Sequence, residues 1–285
     1  VLESPGVDGL GAALDALRDW QHEGGPVQLH PGDLGWFWRF GAEAAAAAVR
    51  TWTRHGQVVA AGLLDSPTLL RLALAPDAHQ DEELARELVG DLSEPQRGVL
   101  PAGTVFLEAP TGALLHSLLA EAGWARDVPW SPLRRDLGAP VRAPDLRIEL
   151  IGPERAHVRT EVQRASFDSS SFTDERWLTM AAGPLYGEAR CLVGYDDAGN
   201  AVAATTVWSA GPGRPGLIEP LGVHREQRGH GFGTAITLAA AGALQEMGSS
   251  SALVSTPSSN VGGVATYRSA GFEPLPQRHD LRRDA

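Results

Sequence analysis

The sequence predicts an α/β chain, an α+β mixed sheet built as two tandem copies of one fold, and three observations carry that expectation. The first is length, since 285 residues at roughly 150 per domain is room for about two domains, each long enough to bury its own core. The second is a repeat at an offset of 148 residues. Leu133-Arg134-Arg135-Asp136 recurs as Leu281-Arg282-Arg283-Asp284, and Gly123-Trp124 stands ten residues ahead of the first run as Gly271-Phe272 stands ten ahead of the second. The third is an alternation of strand-like and helical patterns that runs through both halves in the same order.

The offset extends upstream. It sets Ala75-Pro76-Asp77 against Val223-His224-Arg225, and TVFLEAP at 104–110 against SALVSTP from Ser251, displaced by one residue. The domains are therefore expected at 1–139 and 140–285, joined by the Gly/Pro-containing GAPVRAPDL of 138–146. Each copy reads as helices, hairpin-connected strands, a strand running into a long helix, another strand, another helix and closing strands.

In the second copy, strands near 190–196 and 200–209 flank the turn Asp197-Ala198-Gly199-Asn200. A strand follows at 216–223. The alanine-rich segment 231–247, with Ile236, Leu238, Leu244 and Met247, predicts a helix stopped by Gly248. A strand at 251–256 and a helix at 259–270, ended by Gly271, complete the order.

Charge narrows the function classes. All 24 basic side chains are Arg against 35 acids, a net charge of −11. No basic stripe is present to displace phosphate counterions, so nucleic acid is excluded as a partner. A negative surface favours encounter with cationic small molecules such as amines. The single Cys191 excludes an intrachain disulfide and a Cys-rich structural metal site, and it reads as an inert core thiol. VLESPGVDGLGAALDALRDW lacks the basic start and apolar core of a signal peptide, and no run of about 18 apolar residues follows. The expectation is a soluble, cytoplasmic protein with no membrane partner.

Between the strand at 216–223 and the next helix lies HREQRGHGFG, residues 224–233. Its glycines permit positive φ and close backbone approach. Successive N–H groups opening a helix make an anion site, with pyrophosphate the obvious guest. The spacing is not the dinucleotide fingerprint, and a P-loop is ruled out because the chain has no lysine.

The ordering of Val223, Arg228-x-x-Gly231-x-Gly233, a long helix, a strand, Asn260 and Tyr267-x-x-x-Gly271-Phe272 resembles the GNAT superfamily of acyl-CoA-dependent N-acyltransferases. The resemblance covers about 140 residues of the second half, and the repeat extends the fold to the first, implying two tandem GNAT folds. It implies that the turn from Arg228 through Gly229, His230, Gly231, Phe232 and Gly233 to Thr234 holds the pyrophosphate of acetyl-CoA. Arg228 would do so by its side chain or by backbone alone, and His230 as scaffold. Leu221, Gly222 and Val223 would face the pantetheine where their strand splays from its neighbour. Asn260 would cap the following helix and contact the CoA arm. Tyr267 would protonate the departing thiolate, and Glu219, a carboxylate in the apolar strand LIEPLGV, would act as general base on the amine.

In the first copy the same offset replaces Arg228 by Gln80, Gly229 by Asp81, Gly231 by Glu83 and Gly233 by Ala85. Acids then stand where pyrophosphate would sit. Glu219 becomes Arg71 and Tyr267 becomes Leu119. The first half therefore reads as a degenerate copy that buttresses the second. Its Trp36, Phe37 and Trp38 either wall the acceptor pocket or pack internally, and SFDSSSF at 166–172 and Trp208 are expected near the acceptor.

The resulting expectation is an N-acetyltransferase using acetyl-CoA as cosubstrate and no metal. It would acetylate a primary amine, a small molecule, by direct attack, as a monomer or homodimer. Two alternatives stay open. The run from Asn260 to Phe272 also resembles mycothiol synthases, although AATTVWS at 203–209 lacks their aromatic-histidine strand. A CoA-binding sensor or scaffold without turnover would keep the same turn.

Overall fold

The computed structural model describes residues 1–168 and 170–284. Ser169, within the expected acceptor loop, lies outside the described residues. The chain begins with β1 (Leu2–Glu3), α1 (Leu10–Asp19), α2 (Pro31–Phe37), α3 (Ala42–Ala48), β2 (Val49–Arg54), β3 (Gln57–Ser66) and β4 (Leu69–Leu74). It continues with α4 (Glu82–Ser93), β5 (Val105–Glu108), α5 (Leu115–Glu121), β6 (Ala125–Asp136), β7 (Arg147–Leu150), α6 (Ala156–Ser166) and α7 (Asp174–Ala181). The remainder is β8 (Ala189–Tyr195), β9 (Ala201–Trp208), β10 (Gly216–Val223), α8 (Phe232–Glu246), β11 (Ser251–Pro257), α9 (Val261–Ser269), β12 (Glu273–Pro274) and β13 (Arg278–Arg283).

These elements form two compact units. Unit 1 comprises 1–30, 42–130 and 277–285, and unit 2 comprises 31–41 and 131–276. In unit 1 the strand order is β1-β2-β3-β4-β5-β13-β6, with β4 and β5 parallel and its other neighbours antiparallel. The chain's last strand completes this sheet, Leu281 pairing with Leu107 on one side and Arg126 on the other.

Unit 2 has the order β6-β11-β10-β9-β8-β7, with β12 also beside β6. The β8–β9 hairpin turns where expected, Gly199 at φ 83° and the Asn200 N–H donating to Asp196 Oδ1 at 2.7 Å. One face of the sheet packs Leu192, Ala203, Val207 and Ile218 against Ile236, Leu238 and Leu244 of α8. Alanines at 240, 241 and 243 keep this helix close to the sheet while favouring its conformation. The helix starts one residue later than its sequence pattern suggests, because Gly231, at φ 83°, is its left-handed cap. Likewise α9 begins at Val261 and not at 259, because Asn260 is its N-cap.

Segment 31–41 is part of unit 2. Trp36 stacks on Phe172 with ring centroids 5.2 Å apart, Phe37 is buried edge-on to Phe40, and a Cβ on Gly35 would come within 2.4 Å of the Trp208 ring.

Candidate functional site

The site grows from a departure between two parallel strands in unit 2. β10 and β11 pair at Gly216–Ala252 and Leu217–Leu253. Beyond those pairs β10 continues along β9, with a register shift between Ile218 and Leu221. The shifted residues, Glu219 and Pro220, are held through their carbonyls: Trp208 Nε1 donates to Glu219 O at 2.7 Å, and Thr205 Oγ1 to Pro220 O at 3.0 Å. The bulge thus carries a carboxylate on a strand whose neighbours are apolar.

A cleft of about 670 Å³ opens on the outer part of β10. Every residue expected to bind the cosubstrate lines it except His230: Leu221, Gly222 and Val223, then Arg228, Gly229, Gly231, Phe232, Gly233 and Thr234, and Asn260. Tyr267 lines it as well, whereas Glu219 is not among its lining residues. Ser166, Phe167, Gln227, Gly262, Gly263 and Thr266 also line it and were not named for this cleft from sequence. The adjacent glycines 262 and 263 were the legible signal, since small residues opening a helix permit close approach.

The glycines serve different ends. Gly229 and Gly231 have φ of 86° and 83° with open space where a side chain would point, so the backbone conformation alone selects glycine. No side chain caps α8, which leaves its first-turn N–H groups and the positive end of the helix dipole facing the cleft. Gly233 is selected by packing, because a Cβ there would lie 2.9 Å from Thr266 Cγ2. At Gly222 a Cβ would lie 2.6 Å from that of Ser166, so glycine lets the end of α6 close over β10.

The Arg228 guanidinium donates to Ser166 O at 2.7 Å, tying the turn to α6. His230 is exposed, its Nδ1 3.2 Å from Gln227 O and its ring stacked on Phe232. Asn260 Oδ1 accepts from Gly263 N at 3.0 Å and its Nδ2 donates to Thr256 Oγ1 at 2.9 Å, so cap and strand end are joined by one side chain. Tyr267 is buried beside Phe272. Burial, and then the negative charge of Glu219, push its phenol up to about 12. The two side chains expected to move protons therefore share one electrostatic environment, and the phenol stays protonated at neutral pH.

Corresponding positions of unit 1 are filled by the chain itself. Asp81 caps α4, accepting from Leu84 N at 2.8 Å, and Arg54 pairs with Asp81 and with Glu83. Arg71 pairs with Glu108 at 3.1 Å, and Leu119 is wholly buried.

The acetyltransferase (GNAT) family model matches residues 157–272, a span that runs from α6 through the glycine turn to Phe272. These residues are a GNAT acetyltransferase domain. Among solved structures, the chain is similar over its full length to a GCN5-related N-acetyltransferase from Sphaerobacter thermophilus, with 19% identity, TM-score 0.62 and 95% of that chain covered. It is similar to a GNAT-family acetyltransferase from Colwellia psychrerythraea, with 19% identity, TM-score 0.63 and 100% of both chains covered. It is also similar to a tandem GNAT protein from the clavulanic acid biosynthesis pathway, with 18% identity, TM-score 0.61, and 100% of this chain and 98% of that one covered. The chain matches none of the curated proteins with which it was compared. At these identities the structural likenesses establish the fold, which is a tandem GNAT fold, and the family match assigns residues 157–272 of it to the acetyltransferase family. Among the described residues, no helix is long and apolar enough to cross a membrane.

Proposed function

We propose that the protein is an acetyl-CoA-dependent N-acetyltransferase acting on a small primary amine, with residues 140–285 as the working domain and residues 1–139 as a degenerate copy. The observation that carries this reading is the cleft in which the uncapped start of α8, the splayed β10 and Tyr267 converge. The amides of residues 229–234 take the pyrophosphate, and the unpaired edge of β10 at Leu221–Val223 takes the pantetheine arm and polarises the thioester oxygen.

Glu219 accepts, directly or through water, the proton that the amine must lose. The neutral nitrogen attacks the thioester carbonyl, so a C–N bond forms and the C–S bond breaks without a covalent enzyme intermediate. Tyr267 supplies a proton to the departing thiolate. Acetyl-CoA brings the activated acyl group, while the chain supplies alignment, exclusion of water and proton traffic.

Titration calorimetry with acetyl-CoA, followed by thiol release in an amine panel, tests the reading. One site per chain and amine-dependent release are expected. Tight CoA binding with no transfer across the panel would make the protein a CoA-binding sensor, and absence of binding would remove it from the acyltransferases.

A further inference from the structure

Arg159, on the inner side of α6, is completely buried, with 0% exposure. Its Nη1 donates to Gln163 Oε1 at 2.7 Å, while Nε and Nη2 have no partner. No carboxylate among the described residues pairs with it. A buried guanidinium without a counter-charge is costly, and two orphan N–H groups add to that cost. Two further buried donors of the same pair of helices are also unpartnered, Thr160 Oγ1 on α6 and Trp177 Nε1 on α7. The other strongly buried arginine, Arg278 in unit 1, also has an unpartnered Nε, but its charge is matched by Glu108 at 3.1 Å and Asp280 at 3.2 Å.

Arg159 is also linked by packing to the strand of the proposed base. Its Cζ lies 5.9 Å from the ring of Phe172, which stacks on Trp36. Tyr186 contacts Trp177 edge-on at 5.7 Å and Trp208 at 6.4 Å, and Trp208 Nε1 holds the Glu219 carbonyl. Burial, and then Cys191, raise the Tyr186 phenol, and the charge of Arg159 works against that rise. A fixed cation packed against an aromatic cluster that also holds the Glu219 strand is suited to one end of a bifunctional ligand.

We propose that Arg159 is a specificity-determining residue that pairs with a carboxylate on the acceptor, so that the amine substrate is an amino acid or a similar small amino-carboxylate. The proposal rests on the acyl-transfer reading above and names the substrate class of that site. A carboxylate entering there satisfies the orphan guanidinium N–H groups and neutralises the buried charge. Acceptors lacking it leave both costs standing, which is how a site built to bind a polar group rejects analogues without it.

The test uses the full-length protein and matched triplets: ω-amino acids of two to six carbons, their carboxamides, and the parent amines without the carboxyl group. Thiol release from acetyl-CoA gives kcat/KM, and calorimetry in the presence of CoA gives binding of the same compounds. The acids should exceed the amides and amines by about 10- to 10³-fold in kcat/KM, chiefly through KM. Arg159→Met should bring the acids down to the level of their amides, and Arg159→Lys should restore part of the preference.

The triplet comparison in the unaltered protein does not depend on either variant folding. Equal use of acids, amides and amines overturns the proposal and leaves the transferase reading intact. Binding of the acids, lost in Arg159→Met, without transfer to any acceptor keeps the carboxylate site and overturns the transferase reading. Neither binding nor transfer of any compound overturns both.

Discussion

Where unit 2 begins its long helix at Gly231 with no side chain on the first-turn amides, unit 1 begins α4 at Asp81, whose carboxylate takes the Leu84 N–H. That carboxylate is held below its usual range, first by the Leu84 N–H and then by Arg54. At the corresponding positions unit 1 pairs its charges: Arg71 meets Glu108, Glu108 meets Arg278, and Leu119 is apolar where unit 2 has Tyr267. Unit 2 leaves an open cleft over its helix start and, at Arg159, a buried guanidinium with no carboxylate among the described residues and two donors without acceptors. A fold that answers its buried charges gains a scaffold, whereas one that leaves a charge and a helix start unanswered keeps places for a ligand.

The sharpest way to break this comparison is to carry the acid of unit 1 into the turn of unit 2. Gly231→Glu should weaken acetyl-CoA binding by more than about 10³-fold, because a carboxylate would face the phosphate and a bulky side chain would sit at φ 83°. Gly231→Asn separates the causes, since asparagine tolerates the left-handed region without adding charge, and should keep most of the affinity. Equal loss in both variants, read by calorimetry, would assign the effect to backbone strain alone.

Next in size is Tyr267→Phe. It should lower turnover by about 10² if the phenol protonates the thiolate, with acetyl-CoA affinity nearly unchanged. Because the phenol is pushed up to about 12, it remains a proton source across the neutral range. Loss of activity in the unaltered enzyme between about pH 8 and pH 9 therefore belongs to another group. Turnover in Tyr267→Phe that matches the unaltered enzyme would remove the acid role.

The polar network of unit 1 makes a prediction about stability. Burial would raise the Glu108 carboxyl, but Arg71 and Arg278 outweigh it and hold the group low. Asp280 is pushed up to about 6, by burial and then by the charge of Glu108, with Arg278 pulling the other way. The folded chain thus keeps a proton on Asp280 up to about pH 6, while the unfolded chain releases it near 3.8. Folded protein binds more protons in that window, so this group's contribution falls as pH rises through it and is level above it. Relative to Asp280→Asn, the unaltered protein should lose about 2 kcal/mol of stability between about pH 4 and pH 7, after allowance for solvent screening. Urea titrations that show a constant difference between the two proteins would contradict this.

How much of this was legible in the sequence follows from the range of the interactions. The repeat, the strand–turn–helix around Gly231 and the cap at Asn260 are local or periodic, and the residues that announce them also build them. The orphan state of Arg159 could not be read, because it depends on the absence of a partner across α6, α7 and β8–β9. The role of Arg228 was open for the same reason, its partner being Ser166, 62 residues away. Nor did segment 31–41 announce that its aromatics pack within unit 2, since stacking of Trp36 on Phe172 joins positions far apart in the chain.

The smallest expected effect falls on Asn260, where unit 2 gives its last helix a side-chain cap and unit 1 starts α5 at Leu114 without one. Asn260→Ala removes the acceptor for Gly263 N and the donor to Thr256, and should cost about 1 kcal/mol of stability in line with other lost caps. A pure cap would leave the cleft untouched. Asn260 also lines that cleft, so the same variant should weaken acetyl-CoA binding by a few-fold more than the serine variant Asn260→Ser. Serine restores the oxygen to Gly263 but is too short to replace the amide at Thr256. If alanine and serine bind acetyl-CoA equally well and differ only in unfolding midpoint, Asn260 acts on the helix alone, and the CoA arm is held by the glycine turn and the edge of β10.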